Sequence, residues 1–386
     1  MKTKSIALLS AMIFLFPVTL SGCWNYIEID QMAVVGGVAI DKGISDRVRI
    51  TVEIAEVGHG GESEQMPKVL TMEGKTVFDA VRNTISVLGK KLYWSHCKVV
   101  ILSNKFAEDG VLEVIDWFER DAETRADSHI LVSKAPTAGE ILTSKPTTEK
   151  LVSYEIDKSF DSQVSLHHVP DIEIWKFSDD MLSEGINAVT ASVDLRQFHG
   201  EKRPVIDGAA IFRGDRLVGF IDGKEAMSML FIQDEIKGGV LVVEEIQNGD
   251  DSKGIEASLE VTNNKTKVKP VIRDGTIEID VSIYTETAID ELGTSEDLIS
   301  HPGRERLEVS AEETLKSNVE RIIMKAQKVY DADMFGFGEK LRKENPKAWS
   351  SVEKDWGNIF KELKINVKSD VHIKNSAMLS KPLEVK

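Results

Sequence analysis

The chain has 386 residues, a length for two or three domains rather than a single core. With 41% hydrophobic and 29% charged residues it is not a disordered polymer. Its formal net charge of -16 excludes nucleic acid, which needs Lys/Arg patches, and electrostatic docking on anionic lipid, so any membrane attachment is hydrophobic or covalent.

Residues 1–22 read as an export signal. Lys2 and Lys4 give a positive start, and Ile6 to Leu20 is almost wholly apolar. That run of about 15 residues is short of the ~20 a spanning helix needs. It ends Leu20-Ser21-Gly22-Cys23, which resembles the bacterial lipoprotein signal. In that class the cysteine thiol takes a diacylglycerol, the signal is cut off, and the new amine is acylated. The resemblance therefore implies Cys23 as the lipidation site and first mature residue. Two or more acyl chains anchor stably where one is marginal. The alternatives are an uncleaved anchor or an ordinary signal with a chance cysteine. Trp24 and Tyr26 suit a membrane–water interface. With Cys23 acylated, Cys97 has no disulfide partner and is read as a small buried hydrophobe rather than a reactive thiol.

Past Cys23 no further segment of ~18 apolar residues follows. "QMAVVGGVAIDKG" predicts a strand with a glycine pair, ending in a turn at Asp41 to Gly43. "RVRITVEIAEV" alternates Val48, Ile50, Val52 and Ile54 with Arg49, Thr51 and Glu53, the mark of a half-buried strand. A glycine-rich polar loop, "GHGGESEQMPK", precedes a helix with Val77, Val81, Ile85 and Leu88 on one stripe. "KVVILS" and "SHILVSKA" are strands. Between them lies a helix with Val111, Ile115 and Phe118 inward, and "TAGEILTS" is a short helix. Residues 155–185 show no clean period beyond a short helix around Asp171 to Met181. "INAVTASVDL" is strand-like, and Gly200 to Pro204 is a charged turn and linker candidate. A hairpin turning at Arg213 to Asp215, a helix in "KEAMSMLFIQDE" and three strands follow. Then comes a long helix, Arg304 to Tyr330, with Leu315, Val319, Ile322, Ala326 and Val329 on one face. One more helix begins near Pro346, and the last strand has Leu363, Ile365, Val367, Val371 and Ile373 on one side. The expected fold class is α+β, multidomain, with mixed sheets and helices packed on one face. The divisions are a signal at 1–22, an N-terminal region at 23–200 and a C-terminal region at 201–386, with 201–225 open as a small middle domain.

Few residues suggest chemistry. His167 and His168 are adjacent, diverge, and lack the spacing of metal ligands. Asp179 and Asp180 read as a capping or solvated pair rather than an acid–base couple. Gly336 and Gly338 lack the third glycine, lysine and preceding strand of a phosphate loop, and read as a bend lined by Phe335 and Phe337. His96 reads as a satisfied core histidine. Arg120, Asp121, Glu123 and Arg125 form either an ion-pair network or a partner-orienting cluster. No hydrolase, metalloprotease or Walker signature is present, so neither catalytic, metal nor cofactor residues are expected.

Three segments in order carry a family resemblance: "LSGCWNYIEIDQMAVVGGVAID", "GKTVFDAVRNTISVLGKKLYWSHCKVVILSNKFAEDGVLEVIDWFERDAETR" and "YDADMFGFGEKLRKENPKAWSSVEKDWGNIFKELKINVKSDVHI". Together they resemble the Ger(x)C family of spore germination lipoproteins, the C subunits of nutrient germinant receptors. The resemblance spans nearly the whole chain, with Cys97 where the family pattern has an aliphatic. It implies a non-catalytic, three-domain α+β protein anchored by lipid on the outer face of the spore inner membrane. Its implied partners are an integral-membrane A subunit and a transporter-like B subunit, in a complex that responds to amino acids or sugars. Only Cys23 inherits a defined role, and no germinant-binding residue is implied. The rival class is a solute-binding lipoprotein serving a transporter, which requires two lobes around a cleft.

Overall fold

A computed structural model describes residues 31–55, 68–245, 255–293 and 297–375. The signal, Cys23, Trp24, Tyr26 and most of the glycine-rich loop lie outside the described residues.

Among the described residues, a nine-stranded mixed sheet gathers the strands that run from Met32 to Ile221. Strand β1 (Met32–Lys42) lies beside β2 (Val48–Ala55), which pairs antiparallel with β3 (Lys68–Gly74). Helices α1 (Val77–Asn83) and α2 (Ile85–Leu88) lead back to β4 (Lys91–Tyr93), parallel to the start of β1. Strand β5 (Val99–Ser103) takes the remainder of that edge, also parallel to β1. After α3 (Asn104–Asp109) and α4 (Leu112–Arg120) comes β6 (His129–Ser133), parallel to β5. Then α5 (Gly139–Leu142), α6 (Val152–Asp161) and α7 (Ile174–Leu182) precede β7 (Val189–Phe198). Strand β7 is parallel to β6 and antiparallel to β8 (Glu201–Arg213), which pairs antiparallel with β9 (Arg216–Ile221).

Helix α8 (Gly223–Gln233) starts with a reciprocal cap between Asp222 and Glu225. It leads to a four-stranded sheet of β10 (Val240–Glu245), β11 (Ile255–Arg273) and β12 (Thr276–Leu292) in antiparallel order, with β13 (Lys364–Asn375) added in parallel. Helix α9 (Gly303–Lys325) packs along it, and α10 (Phe337–Glu344), α11 (Pro346–Val352) and α12 (Trp356–Glu362) fill the crossover to β13. Carboxylates of α9 close the outer edge of β13: Glu312 accepts from the Val371 amide at 3.2 Å and Glu308 from the Ile373 amide at 2.8 Å.

The α+β class with mixed sheets holds, and several local expectations change. Helices on one face describe the four-stranded sheet. The nine-stranded sheet is covered on both faces, by α1, α4 and α7 around Val38, Ile50 and Val100, and by α5 and α6 around Ala39, Ile101 and Leu131. Strand β2 is therefore not half-solvated, and Thr51 and Glu53 are as buried as their apolar neighbours. The helix predicted within residues 74–91 breaks at Thr84, whose hydroxyl donates back to the Val81 carbonyl at 2.6 Å, and Ile85 leaves the buried stripe. Helix α9 ends in a π turn at Ala326–Tyr330. The extra residue per turn rotates the face, so Val329 points outward, 66% exposed, and Tyr330 inward. The single helix expected after Pro346 is two, α11 and α12, with a short 3-10 turn between. Gly200 to Pro204 is not a linker. It completes the β7–β8 turn and opens β8, so a boundary between residues 200 and 201 cuts a hairpin.

Candidate functional site

The first and third of the segments that carry the resemblance help to seat helix starts. In β1, Gly36 is the extra residue of a bulge against β2, between Val35 and Gly37. A side chain at Gly37 would put its Cβ 2.5 Å from Cβ of Ser153 and 3.0 Å from Val99, so only glycine lets α6 approach the strand. Glu53 of β2 meets the same helix start: its two carboxylate oxygens accept the Val152 and Ser153 amides, each at 2.8 Å. Burial raises the Glu53 pKa, and these hydrogen bonds oppose the shift. Asp41 does the equivalent for α5, accepting from Ala138 at 2.7 Å and Gly139 at 2.9 Å. Carboxylates at helix starts satisfy amides that have no intrahelical partner.

The third segment builds the joint between the two halves. Asp333 is 2% exposed and accepts four donors. One oxygen takes the Phe335 and Phe337 amides at 3.3 and 3.1 Å, and the other takes the Gly338 amide at 2.9 Å and the Trp356 indole at 3.0 Å. Burial pushes its pKa up to about 6 against these four bonds. The segment before β7 docks on the same turn. The Asn187 amide donates to the Asp333 carbonyl, the Asp333 amide donates to the Asn187 side chain, and the Glu339 amide donates to the Gly185 carbonyl, at 2.8 to 2.9 Å. At Gly185, in the left-handed region at φ +82°, a Cβ would lie 2.6 Å from the Gly338 carbonyl carbon. Tyr330 donates to the Phe220 carbonyl at 2.5 Å, and Asp331 pairs with Arg213 at 3.0 Å and Lys361 at 2.9 Å. The Gly336–Gly338 bend is thus a joint built on Asp333. Its sequence signal is an acceptor side chain a few residues ahead of a helix start.

A fourth cluster ties α6 to β6. The His129 ring nitrogens donate to Asp157 at 3.1 Å and Asp171 at 2.9 Å, and the ring stacks on Phe160 at 4.1 Å with 7° between planes. Lys98 adds a contact to Asp157 at 3.3 Å. Burial pulls the His129 pKa down, and the two carboxylates outweigh it, pushing it up to about 9.

The remaining sequence candidates scatter. His96 is exposed, not a core histidine, and its ring tilts against Tyr93. Cys97 is buried, donates weakly to the Val99 carbonyl, and its thiol is pushed up to about 12 by burial, so it stays protonated. His167 accepts from the Lys237 amide at 3.2 Å, while His168 faces Asp207 at 3.7 Å. Asp180 is buried against Lys176 at 2.5 Å, and Asp179 is exposed. Arg120, Asp121, Glu123 and Arg125 do not form one network. Arg120 pairs with Asp116, Arg125 with Asp127 and Glu123 with Lys91, while Asp121 accepts from the Glu123 amide. Among the described residues no metal-ligating cluster occurs, and no helix is long and apolar enough to cross a membrane.

Comparison with known proteins places this architecture. Residues 25–195 match the family model of the spore germination protein N-terminal domain, and residues 207–377 match spore germination B3/GerAC like, C-terminal. The chain is 25% identical to spore germination protein B3 of Bacillus subtilis (strain 168), over 93% of its own length and 95% of the relative's. It is also 25% identical to spore germination protein KC of the same organism, covering 98% and 97%. Its fold is similar to that in the crystal structure of the GerBC protein, with a TM-score of 0.56 at 21% identity, covering 88% of this chain and 97% of that one. With both halves matched in order and the fold shared, this chain belongs to the GerAC family of spore germination proteins.

Proposed function

We propose that the chain is a lipid-anchored, non-catalytic subunit of a nutrient germinant receptor. Cys23 carries the diacylglycerol and N-acyl chains, and the body stands on the outer face of the spore inner membrane, which is the cell membrane in the forespore. There it scaffolds an integral-membrane A subunit and a transporter-like B subunit. The observation that carries this reading is the family match over both halves, which supports a role in spore germination, joined to a signal ending Leu20-Ser21-Gly22-Cys23. The buried carboxylates support it too, since Asp41, Glu53 and Asp333 spend their oxygens on amides and an indole. Acyl chains confine the body to a membrane layer, which turns association with its partners into a local event at high effective concentration.

Replacing Cys23 with alanine tests the anchor. Cys23→Ala is expected to leave the membrane fraction and to impair germination on nutrients. A variant that stays soluble at normal abundance while spores germinate at the normal rate would refute this function.

A further inference from the structure

The described chain begins at one end of the nine-stranded sheet, and that end carries an apolar tip. Lys91, Leu92 and Tyr93 of β4 lie opposite Met32, Ala33 and Val34 of β1. Helix α2 comes just before β4, so it sits where the chain from Cys23 enters the fold. Of its residues only Leu88 packs against the core; Ile85 is 38% and Val87 60% exposed. Exposed Lys90 and half-buried Lys91, the latter paired with Glu123, follow immediately. Aliphatic tips flanked by lysines suit a lipid interface, where the side chain buries in the acyl boundary and the ammonium stays with the headgroups.

Chain length brings this tip to the bilayer. Seven residues lie between Cys23 and Gln31, eight steps along the chain and a reach of at most about 28 Å. The 11-residue β1 is itself about 33 Å long, which sets Ile44 at the far end of the sheet. Ile44 is 69% exposed, more than either tip residue, but it lies farther from the tether by the length of β1, so the tether holds the α2 tip nearer the bilayer on average. A chain of net charge -16 also makes an apolar contact, not an electrostatic one, the means of lying on anionic lipid.

We infer that the α2 tip, Ile85 and Val87 with Lys90, is a membrane-docking surface that orients the tethered body with the entry end of its sheet on the bilayer. The inference rests on lipid attachment at Cys23. It is tested with residues 23–386 coupled through the Cys23 thiol to a maleimide phospholipid in phosphatidylglycerol–phosphatidylethanolamine vesicles. The buried, protonated Cys97 does not compete for the reagent. Hydrogen exchange is then compared between coupled and free protein. Amides of residues 85–91 are expected to exchange about tenfold more slowly on vesicles, while those of 43–47 are unchanged. The double substitution Ile85→Glu, Val87→Glu is expected to abolish the slowing without reducing coupling. Unchanged exchange at 85–91 overturns the inference, as does equal slowing at both ends. So does slowing that appears only when receptor subunits share the vesicle, because the tip is then a protein interface. Coupling is chemical, so loss of the docking signal leaves the lipoprotein reading standing. Normal membrane retention of Cys23→Ala removes that reading without touching the vesicle result.

Discussion

His129 holds one ring between two carboxylates, and that geometry gives the fold a pH dependence of known sign. Its pKa rises from an ordinary 6.5 in the unfolded chain to about 9 in the fold. The charged form is the one the fold stabilises, so its contribution is complete below pH 6.5 and lost as pH climbs through about 9. At about 1.4 kcal/mol per unit, and with Asp171 largely in solvent, the contribution is on the order of 2–3 kcal/mol. Urea denaturation across pH 6–10 is expected to show that decline, and His129→Gln is expected to flatten it. A wild-type curve already flat across the window would show that His129 does not hold the charge. The burial of Cys97 was legible from its apolar neighbours, whereas His96 read as a core histidine and His129, inside a strand, drew no reading at all. Solvent reaches one and two carboxylates reach the other, and those carboxylates come from residues 28 and 42 positions away.

At the level of elements, period told more than face. Strand β2 alternates as its sequence says, but its second face is not solvent. Glu53 points under the start of α6, where two amides need an acceptor more than the carboxylate needs water. Helix α6 itself was missed although Val152, Ile156 and Phe160 recur every fourth residue and are all buried. Its polar positions and the histidine-rich loop after it hid so short a period. The seat is testable. Gly37→Ala is expected to cost about 1–3 kcal/mol by driving a methyl into Ser153. Ser153→Gly alone is expected to cost at most about 1 kcal/mol. Because the second change removes the atom the first collides with, the double variant should cost clearly less than the sum. Denaturant midpoints that add without coupling would show that the contact is not what requires glycine.

Across the whole molecule, the two halves share one apolar core. Val189, Ala209, Ile211 and Ile221 of the nine-stranded sheet belong with Met229, Leu259, Ile279 and Leu315 of the C-terminal half. Composition along the chain could not reveal this, because a hairpin turn and a linker both read as short charged runs, as Gly200 to Pro204 shows. A shared core predicts a single cooperative thermal transition. Asp333→Asn tests it at the joint, since an amide turns one oxygen into a donor facing donors and strands at least one pair of them. A cost of about 2–4 kcal/mol is expected, seen in calorimetry as one transition moved down by several degrees. Two resolved transitions, or a shift confined to one of them, would show that the halves unfold separately. The α9 carboxylates seated on the rim of β13 have a consequence for how copies of the chain meet one another. A parallel edge strand with open amides is a template on which further copies would zip into ribbons. With Glu308 and Glu312 already occupying the Ile373 and Val371 amides, those two positions offer a neighbouring copy no donor to pair with, and the rim is blunted there by a helix of its own chain.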